Sequence, residues 1–242
     1  MCIRDRSKID PKNPDIYLLQ LRSITILHQY ILALGVSDSV RELMEATIDS
    51  IYKTTKAKVF LKAILENYPQ FYEGISSKSL LTAYFADTLA SKYGWESETT
   101  KKKLIISAIL QDITIPDESM AKVNTLARLE ENGNNEDEIE KFTNHPVAAA
   151  NYAKQFSNYT DIDYIVENHE LPGRKGFPNR TSGSKFTQIT AVFNTAQYIA
   201  GEVDGQVLDS TLFSLVQKSI TKDYTSAIYR EAQRYLKLLL KF

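Results

Sequence analysis

The 242-residue chain contains one cysteine, Cys2, one tryptophan and three histidines. A single thiol rules out an intrachain disulfide and a cysteine-based metal cluster. Neither sign of charge dominates: 29 Lys+Arg face 30 Asp+Glu, a net charge of -1, so no global basic field points to DNA or to an anionic lipid surface. A long hydrophobic run is also lacking. The stretch 16–34 is interrupted by Gln20, Arg22, His28 and Gln29, whereas a membrane span takes about 20 nearly unbroken apolar residues. The first residues are charged and carry no signal-peptide core. A cytoplasmic protein without a membrane span is the expectation. What is present is a hydrophobic content of 43%, enough to bury a substantial core as one large domain or two small ones.

Apolar residues recur mostly at helical spacing. Val40, Leu43, Met44, Ile48 and Ile51 form one face of a 3.6-residue period, and Ser39-Val40-Arg41-Glu42 fits a capping box ahead of them. Gly35 suits the stop of the preceding helix. Leu81, Phe85 and Leu89 make another stripe, with Gly94 as its C-terminal cap. Leu104, Ile105, Ala108, Ile109 and Leu110 predict a helix apolar on most sides and therefore central. Ile228, Ala232, Tyr235, Leu236 and Leu239 share a face near the C-terminus. Strand alternation is absent apart from an ambiguous stretch at Ile16–Leu27. The fold class expected is all-α. Lys101-Lys102-Lys103 reads as the solvated first turn of a helix. The acidic, Asn/Gly-rich segment Glu130–Glu140 reads as an exposed turn leading into a short helix. Leu171–Ser184 reads as a long loop, a class that is usually functional or disordered.

Chemistry-bearing residues are few: Asp112, His145, His169 and Glu170. Imidazole nitrogens and carboxylate oxygens suit Zn, Fe, Mn or Co. Taken singly, each also has a plain structural reading. His145 could cap a helix with Pro146 at its first position. His169-Glu170 could be a solvated helix end, and Asp112 could cap a turn ending at Pro116. His28, among Ile26, Leu27, Tyr30 and Ile31, reads as a packed or surface helix histidine.

Order and spacing add information that single residues lack. An apolar helix, Asp112, His145-Pro146, a further helix, His169-Glu170 and a loop closing with Gly176-Phe177-Pro178 resemble the HD-GYP family of the HD superfamily. The resemblance spans roughly residues 77–201 and includes Ser79, Ala83, Ala86 and Ala90, which match the family's first helix. It implies an all-helical bundle and, for many members, cyclic di-GMP hydrolysis at a two-metal site. The chain departs from the pattern repeatedly. Lys78 stands at the position of the first histidine ligand, and Gln111-Asp112 replaces the His-Asp dyad. Thr114-Ile115 stands where a Gly-Lys pair is usual, and Asn168-His169 replaces paired histidines. Gly173-Arg174 and Phe177 alter the signature loop, and Asn194 aligns with an aspartate ligand.

The resemblance therefore implies a signal-transduction module of HD-GYP type that has lost catalysis and acts by binding a nucleotide or a protein. The alternative is a metal-dependent phosphodiesterase with a reduced, mononuclear site at Asp112, His145 and His169, three ligands with an open position. Two cations about 3.5–4 Å apart need many anionic and imidazole donors, and several donors are replaced here, one of them by a lysine. No cofactor is expected, or at most one divalent transition metal (Fe, Mn or Zn). Cyclic di-GMP or another nucleotide is the candidate ligand, with Arg174, Lys175, Gly176, Phe177, Pro178 and Arg180 as the binding-loop residues. Residues 1–6 read as a translated sequencing adaptor, 7–74 as an N-terminal helical extension and 75–242 as the degenerate HD-GYP-like domain. An upstream sensor or receiver domain is expected to be missing.

Overall fold

A computed structural model describes residues 14–56, 74–115, 117, 120, 126–170, 186–203, 210–223 and 227–239. Among them every regular element is a helix: α1 (Pro14–Leu34), α2 (Asp38–Thr55), α3 (Gly74–Lys92), α4 (Glu98–Leu110), α5 (Leu126–Glu131), α6 (Glu136–Ala153), α7 (Ile162–Glu167), α8 (Gln188–Val203), α9 (Ser210–Asp223) and α10 (Ala227–Leu239). The ambiguous Ile16–Leu27 stretch is helical, not extended. Tyr17, Leu21, Ile24, Leu27 and Ile31 recur on its inner face and enter the core. Burial on a helical period has overridden the local alternation.

Helices α3 and α4 form the centre. α3 packs against α1, α2, α4, α8 and α10, and α4 against α2, α3, α6, α7 and α8. α3 is buried on nearly every side. Ser79, Ala83, Ala86 and Ala90 on it are all fully buried, and small side chains let a neighbouring backbone approach closely. One continuous apolar core runs from Tyr17 on α1 to Tyr229 on α10. A second, smaller cluster joins Ile115, Met120, Leu129 and Phe142 beneath the α4–α6 connection.

Two polar residues inside this core, Gln20 and His28, are tied across helices. Gln20, one of the interruptions of the apolar run, is buried. Its Nε2 donates to Ser50 Oγ (2.9 Å) and Thr54 Oγ1 (3.0 Å), and its Oε1 accepts from Tyr84. His28 is packed, not at the surface, and its Nε2–H donates to the Ile109 carbonyl (2.6 Å). Burial holds its pKa down despite that bond, so it acts as a neutral tie between α1 and α4.

Three local readings are corrected. The cap of α2 is Ser37, whose side chain accepts from the Val40 amide, and Ser39 already lies inside the helix. The segment after Gly133 leads into an 18-residue helix, α6, and that helix starts with a complete capping box between Asn135 and Glu138. The three lysines are bound within the fold, not a solvated face. Lys101, 4% exposed, donates to Ser91 Oγ and pairs with Glu96. Lys102 bridges Asp49 (2.6 Å) and Glu98 (2.8 Å), and Lys103 reaches Thr160 and Asp161. Apart from the i,i+4 pair Lys102–Glu98, their heads reach groups outside their own helix.

Gly94 ends α3 as expected. Its φ is 79°, and the bonds Gly94 N–H to Ser91 O (3.1 Å) and Trp95 N–H to Ala90 O (2.9 Å) form a Schellman motif. Gly201 sits inside α8 without positive φ, and an added Cβ meets no atom within 4 Å at either glycine. Gly94→Ala is therefore expected to cost about 1–2 kcal/mol through left-handed strain alone. Gly201→Ala is expected to gain up to about 1 kcal/mol through helix propensity. Urea unfolding of the two variants checks the opposite signs.

Candidate functional site

The site lies where α3, α4, α6 and the end of α7 meet. Each element delivers its side chain for a local reason. His145 and Pro146 lie inside α6, not at its start. Proline lacks an N–H, so the Phe142 carbonyl, four residues earlier, loses its helical donor. The Nδ1–H of His145 takes that carbonyl at 2.6 Å. The His-Pro pair thus builds its own orienting bond.

His169 is held in the same manner. α7 ends at Glu167, and its last carbonyls have no helical partners. The Asn168 N–H turns back to Tyr164 and Ile165, and the His169 Nδ1–H takes Val166 O at 2.6 Å. A carbonyl can only accept, so both rings carry their proton on Nδ1 and both present Nε2 inward. The two Nε2 atoms lie 3.1 Å apart.

Two carboxylates meet them. Asp112 follows α4 in a turn and is fully buried, so it does not serve as a surface turn cap. Its Oδ1 lies 3.3 Å from His169 Nε2 and 3.5 Å from His145 Nε2. Glu170 Oε1 lies 3.4 Å and 3.5 Å from the same two atoms. Glu170 is buried, not a solvated helix end. The four ligand atoms all lie within 4.8 Å of one another. In their Nδ1–H forms these are four acceptors with no donor among them, an arrangement that calls for a cation or an added proton.

Lys78, on the first turns of α3, supplies part of that charge. Its Nζ lies 2.9 Å from Asp112 Oδ2, the oxygen turned away from the histidines. Burial alone would raise the Asp112 pKa, but Lys78, His145 and His169 outweigh it and hold the carboxyl well below its usual range. Glu170 is lowered in the same way, against burial, chiefly by His169. Burial pushes His169 down, yet Asp112 and Glu170 reverse this and raise it to about 9. With that proton bound, Lys78 and His169 balance Asp112 and Glu170 charge for charge.

The replaced positions divide into those that face inward and one that turns away. Gln111 is fully buried; its Nε2 reaches Thr82 Oγ1 at 3.5 Å, and its Oε1 has no hydrogen-bond partner. Asn194 on α8 donates through Nδ2 to the Asn168 carbonyl (3.0 Å) and to Tyr229 OH (3.1 Å), tying the histidine turn to α10. Asn168 turns its own amide back to Tyr164 O at 2.9 Å. Ile115 packs into the small apolar cluster with Phe142, and Thr114 Oγ1 donates to His145 O (3.0 Å). Arg174, Lys175, Gly176, Phe177, Pro178 and Arg180 lie outside the described residues.

The donor set fits one divalent ion. A tetrahedron of ligands about 2.1 Å from a metal has edges of about 3.4 Å. Five of the six edges here measure 3.1–3.5 Å. Glu170 fills the fourth corner, so the open position of a three-ligand site is closed. Among the described residues no second donor set is present for another ion. The ammonium of Lys78 stands at the second oxygen of Asp112, and the amides of Gln111 and Asn194 are neutral where charged donors would be needed.

The fold and site together define an all-α protein with a buried histidine–carboxylate centre. No family model matches the chain, and no curated protein matches it. Among solved structures it is similar to Bd1817, an HDG"Y"P protein from Bdellovibrio bacteriovorus, with a TM-score of 0.73 and 14% identity over 98% of this chain and 75% of that one. At this identity the likeness establishes the fold alone: the helical arrangement is similar to that of the HDG"Y"P protein over 98% of this chain. Among the described residues no helix is long and apolar enough to cross a membrane.

Two outcomes test the centre. Lys78→Met leaves Asp112 charged and buried without its ammonium, at an expected cost of about 3–5 kcal/mol in stability. Adding Asp112→Asn should recover part of that loss, read by a double-mutant cycle in urea. The pH dependence has a defined sign. Because His169 is raised, its contribution is fully present below about pH 6.5 and is lost as pH rises through about 9. Asp112 and Glu170 are lowered, so theirs is present above the normal carboxylate range and is lost on acidification. Unfolding of chelator-treated protein should show the alkaline loss, and His169→Gln should abolish it.

Proposed function

We propose that this chain is a signalling module of HD-GYP type that does not hydrolyse cyclic di-GMP and works by binding a nucleotide or a protein partner. The observation that carries this reading is Lys78, with its ammonium 2.9 Å from Asp112 Oδ2. A hydrolytic two-metal centre clamps the attacking and the leaving oxygen with separate cations. A tethered ammonium at one carboxylate oxygen takes the room and the charge of one of them.

The remaining centre is closed. Asp112, His145, His169 and Glu170 would hold a single Fe, Mn or Zn ion, which would cross-link α6, the α4 turn and the α7 end. Four protein ligands are the pattern of structural sites, whereas catalytic zinc keeps a position for water. Without an ion, the proton on His169 fills the same role. In both forms the centre holds helices together and presents no activated water. This favours the non-catalytic module over a mononuclear phosphodiesterase.

Ligand recognition falls to the segment carrying Arg174, Lys175 and Arg180, since guanidinium and ammonium groups pair strongly with phosphate. An upstream sensor or receiver domain would supply the signal.

Elemental analysis of purified protein, paired with a hydrolysis assay in added Mn or Fe, tests the reading. At most one ion per chain and no hydrolysis of cyclic di-GMP are expected. Two ions per chain, or turnover abolished by His145→Ala, would overturn it. Saturable calorimetric binding of cyclic di-GMP, lost in Arg174→Ala/Lys175→Ala, would identify the nucleotide as the ligand.

A further inference from the structure

Thr25 and His28 lie three residues apart on α1, a spacing that puts both side chains on one helix face. From that face they reach α3, which carries Lys78, and α4, which leads into Asp112. The hydroxyls of Thr25 and Ser76 are hydrogen-bonded at 3.0 Å. Ser76 is buried in the first turn of α3, two residues before Lys78. The Nε2–H of His28 takes the Ile109 carbonyl at 2.6 Å, three residues before Asp112. In a continuing helix that carbonyl would accept from the Ile113 N–H. As α4 ends, this N–H turns to Leu110 O instead, at 3.2 Å. A buried carbonyl left without a donor is costly. His28 therefore closes the end of α4 where the chain turns into Gln111-Asp112.

We propose that Thr25 and His28 are positioning residues through which α1 sets the Lys78–Asp112 ion pair, so that a signal displacing α1 is read at the buried centre. The source of the signal rests on the signalling reading above; the coupling does not. Opposite charges out of water attract strongly at contact distance, and withdrawal of one leaves the other buried and unpaired. Asp112 is fully buried, and Lys78 holds it at 2.9 Å. The ammonium rides on the start of α3 and the carboxylate on the turn after α4, so the pair depends on the relative height of those two helix ends. α1 bonds both ends from a single face. Displacing α1 frees both at once, and Asp112 Oδ2 loses its ammonium.

Double-mutant cycles in urea, on chelator-treated protein, separate positioning from plain packing. His28→Phe keeps the bulk and removes the donor, and is expected to raise the unfolding constant roughly tenfold. In the neutral-pair background Lys78→Met/Asp112→Asn the same change should raise it no more than about threefold, because the pair it positions is gone. His28→Gln, whose amide N–H reaches as far as the ring Nε2–H, should restore the wild-type value. An equal effect of His28→Phe in both backgrounds marks a bond that acts only on folding and overturns the proposal.

Amine labelling of the single variants decides the matter even where that background does not fold. Acetylation of the lysines, read by mass spectrometry, reports how firmly each ammonium is held. The buried Lys101, bound to Ser91 and Glu96, is the internal reference. In His28→Phe and in Thr25→Val, Lys78 should label about threefold faster or more while Lys101 keeps its rate, the mark of a local release and not of global opening. His28→Gln should label as the wild type does. A Lys78 rate that stays put, or that rises only in step with Lys101, overturns the proposal. Neither readout involves a metal or cyclic di-GMP, so failure here leaves the signalling reading standing, and hydrolysis of cyclic di-GMP would leave this coupling standing.

Discussion

Two backbone carbonyls without helical donors organise the centre of this protein. Phe142 O is released by Pro146, and Val166 O by the end of α7. Each accepts the Nδ1–H of a histidine three residues downstream. These bonds settle which ring nitrogen carries the proton and where the other one points. With both Nε2 atoms aimed at the same volume, Asp112 and Glu170 have fixed positions to meet. The helices that carry the four groups are thereby brought into one arrangement.

Charge then decides what the centre can be. Two buried carboxylates are costly unless cations accompany them. Lys78 brings one positive charge on a tether, and a proton or an ion between the histidines brings the rest. The centre thus carries part of its positive charge in the chain itself, on Lys78. The neighbouring amides fit this reading. Asn194 uses its Nδ2 as a donor to Asn168 O and Tyr229 OH, so it braces the histidine turn against α10.

Much of the fold was legible because burial and helical period agree over long segments. The α2, α3 and α4 stripes and the Gly94 stop follow from residue spacing and from the one backbone conformation that glycine tolerates well. Errors arose where a local pattern competed with a better partner. Ser39 fits a cap, but Ser37 takes that place two residues earlier. The lysine run looks solvated, but Asp49, Ser91, Glu96 and Thr160 bind it from other elements. Pro146 looked like a helix start, whereas its role is to break one bond inside α6.

For the site, the sequence determined the chemical inventory: Asp112, His145-Pro146, His169-Glu170 and Lys78. The tautomer of His145 follows only once Pro146 is placed inside α6, where it frees the Phe142 carbonyl within that histidine's reach. Tertiary structure alone decided the rest. Convergence of α4, α6 and α7 brought four acceptors to tetrahedral spacing and added Glu170 as the fourth corner. Packing of α3 set Lys78 against one oxygen of Asp112 and not another. These depend on distances between helices, which spacing along one chain does not specify, and they separate a closed centre from an open one.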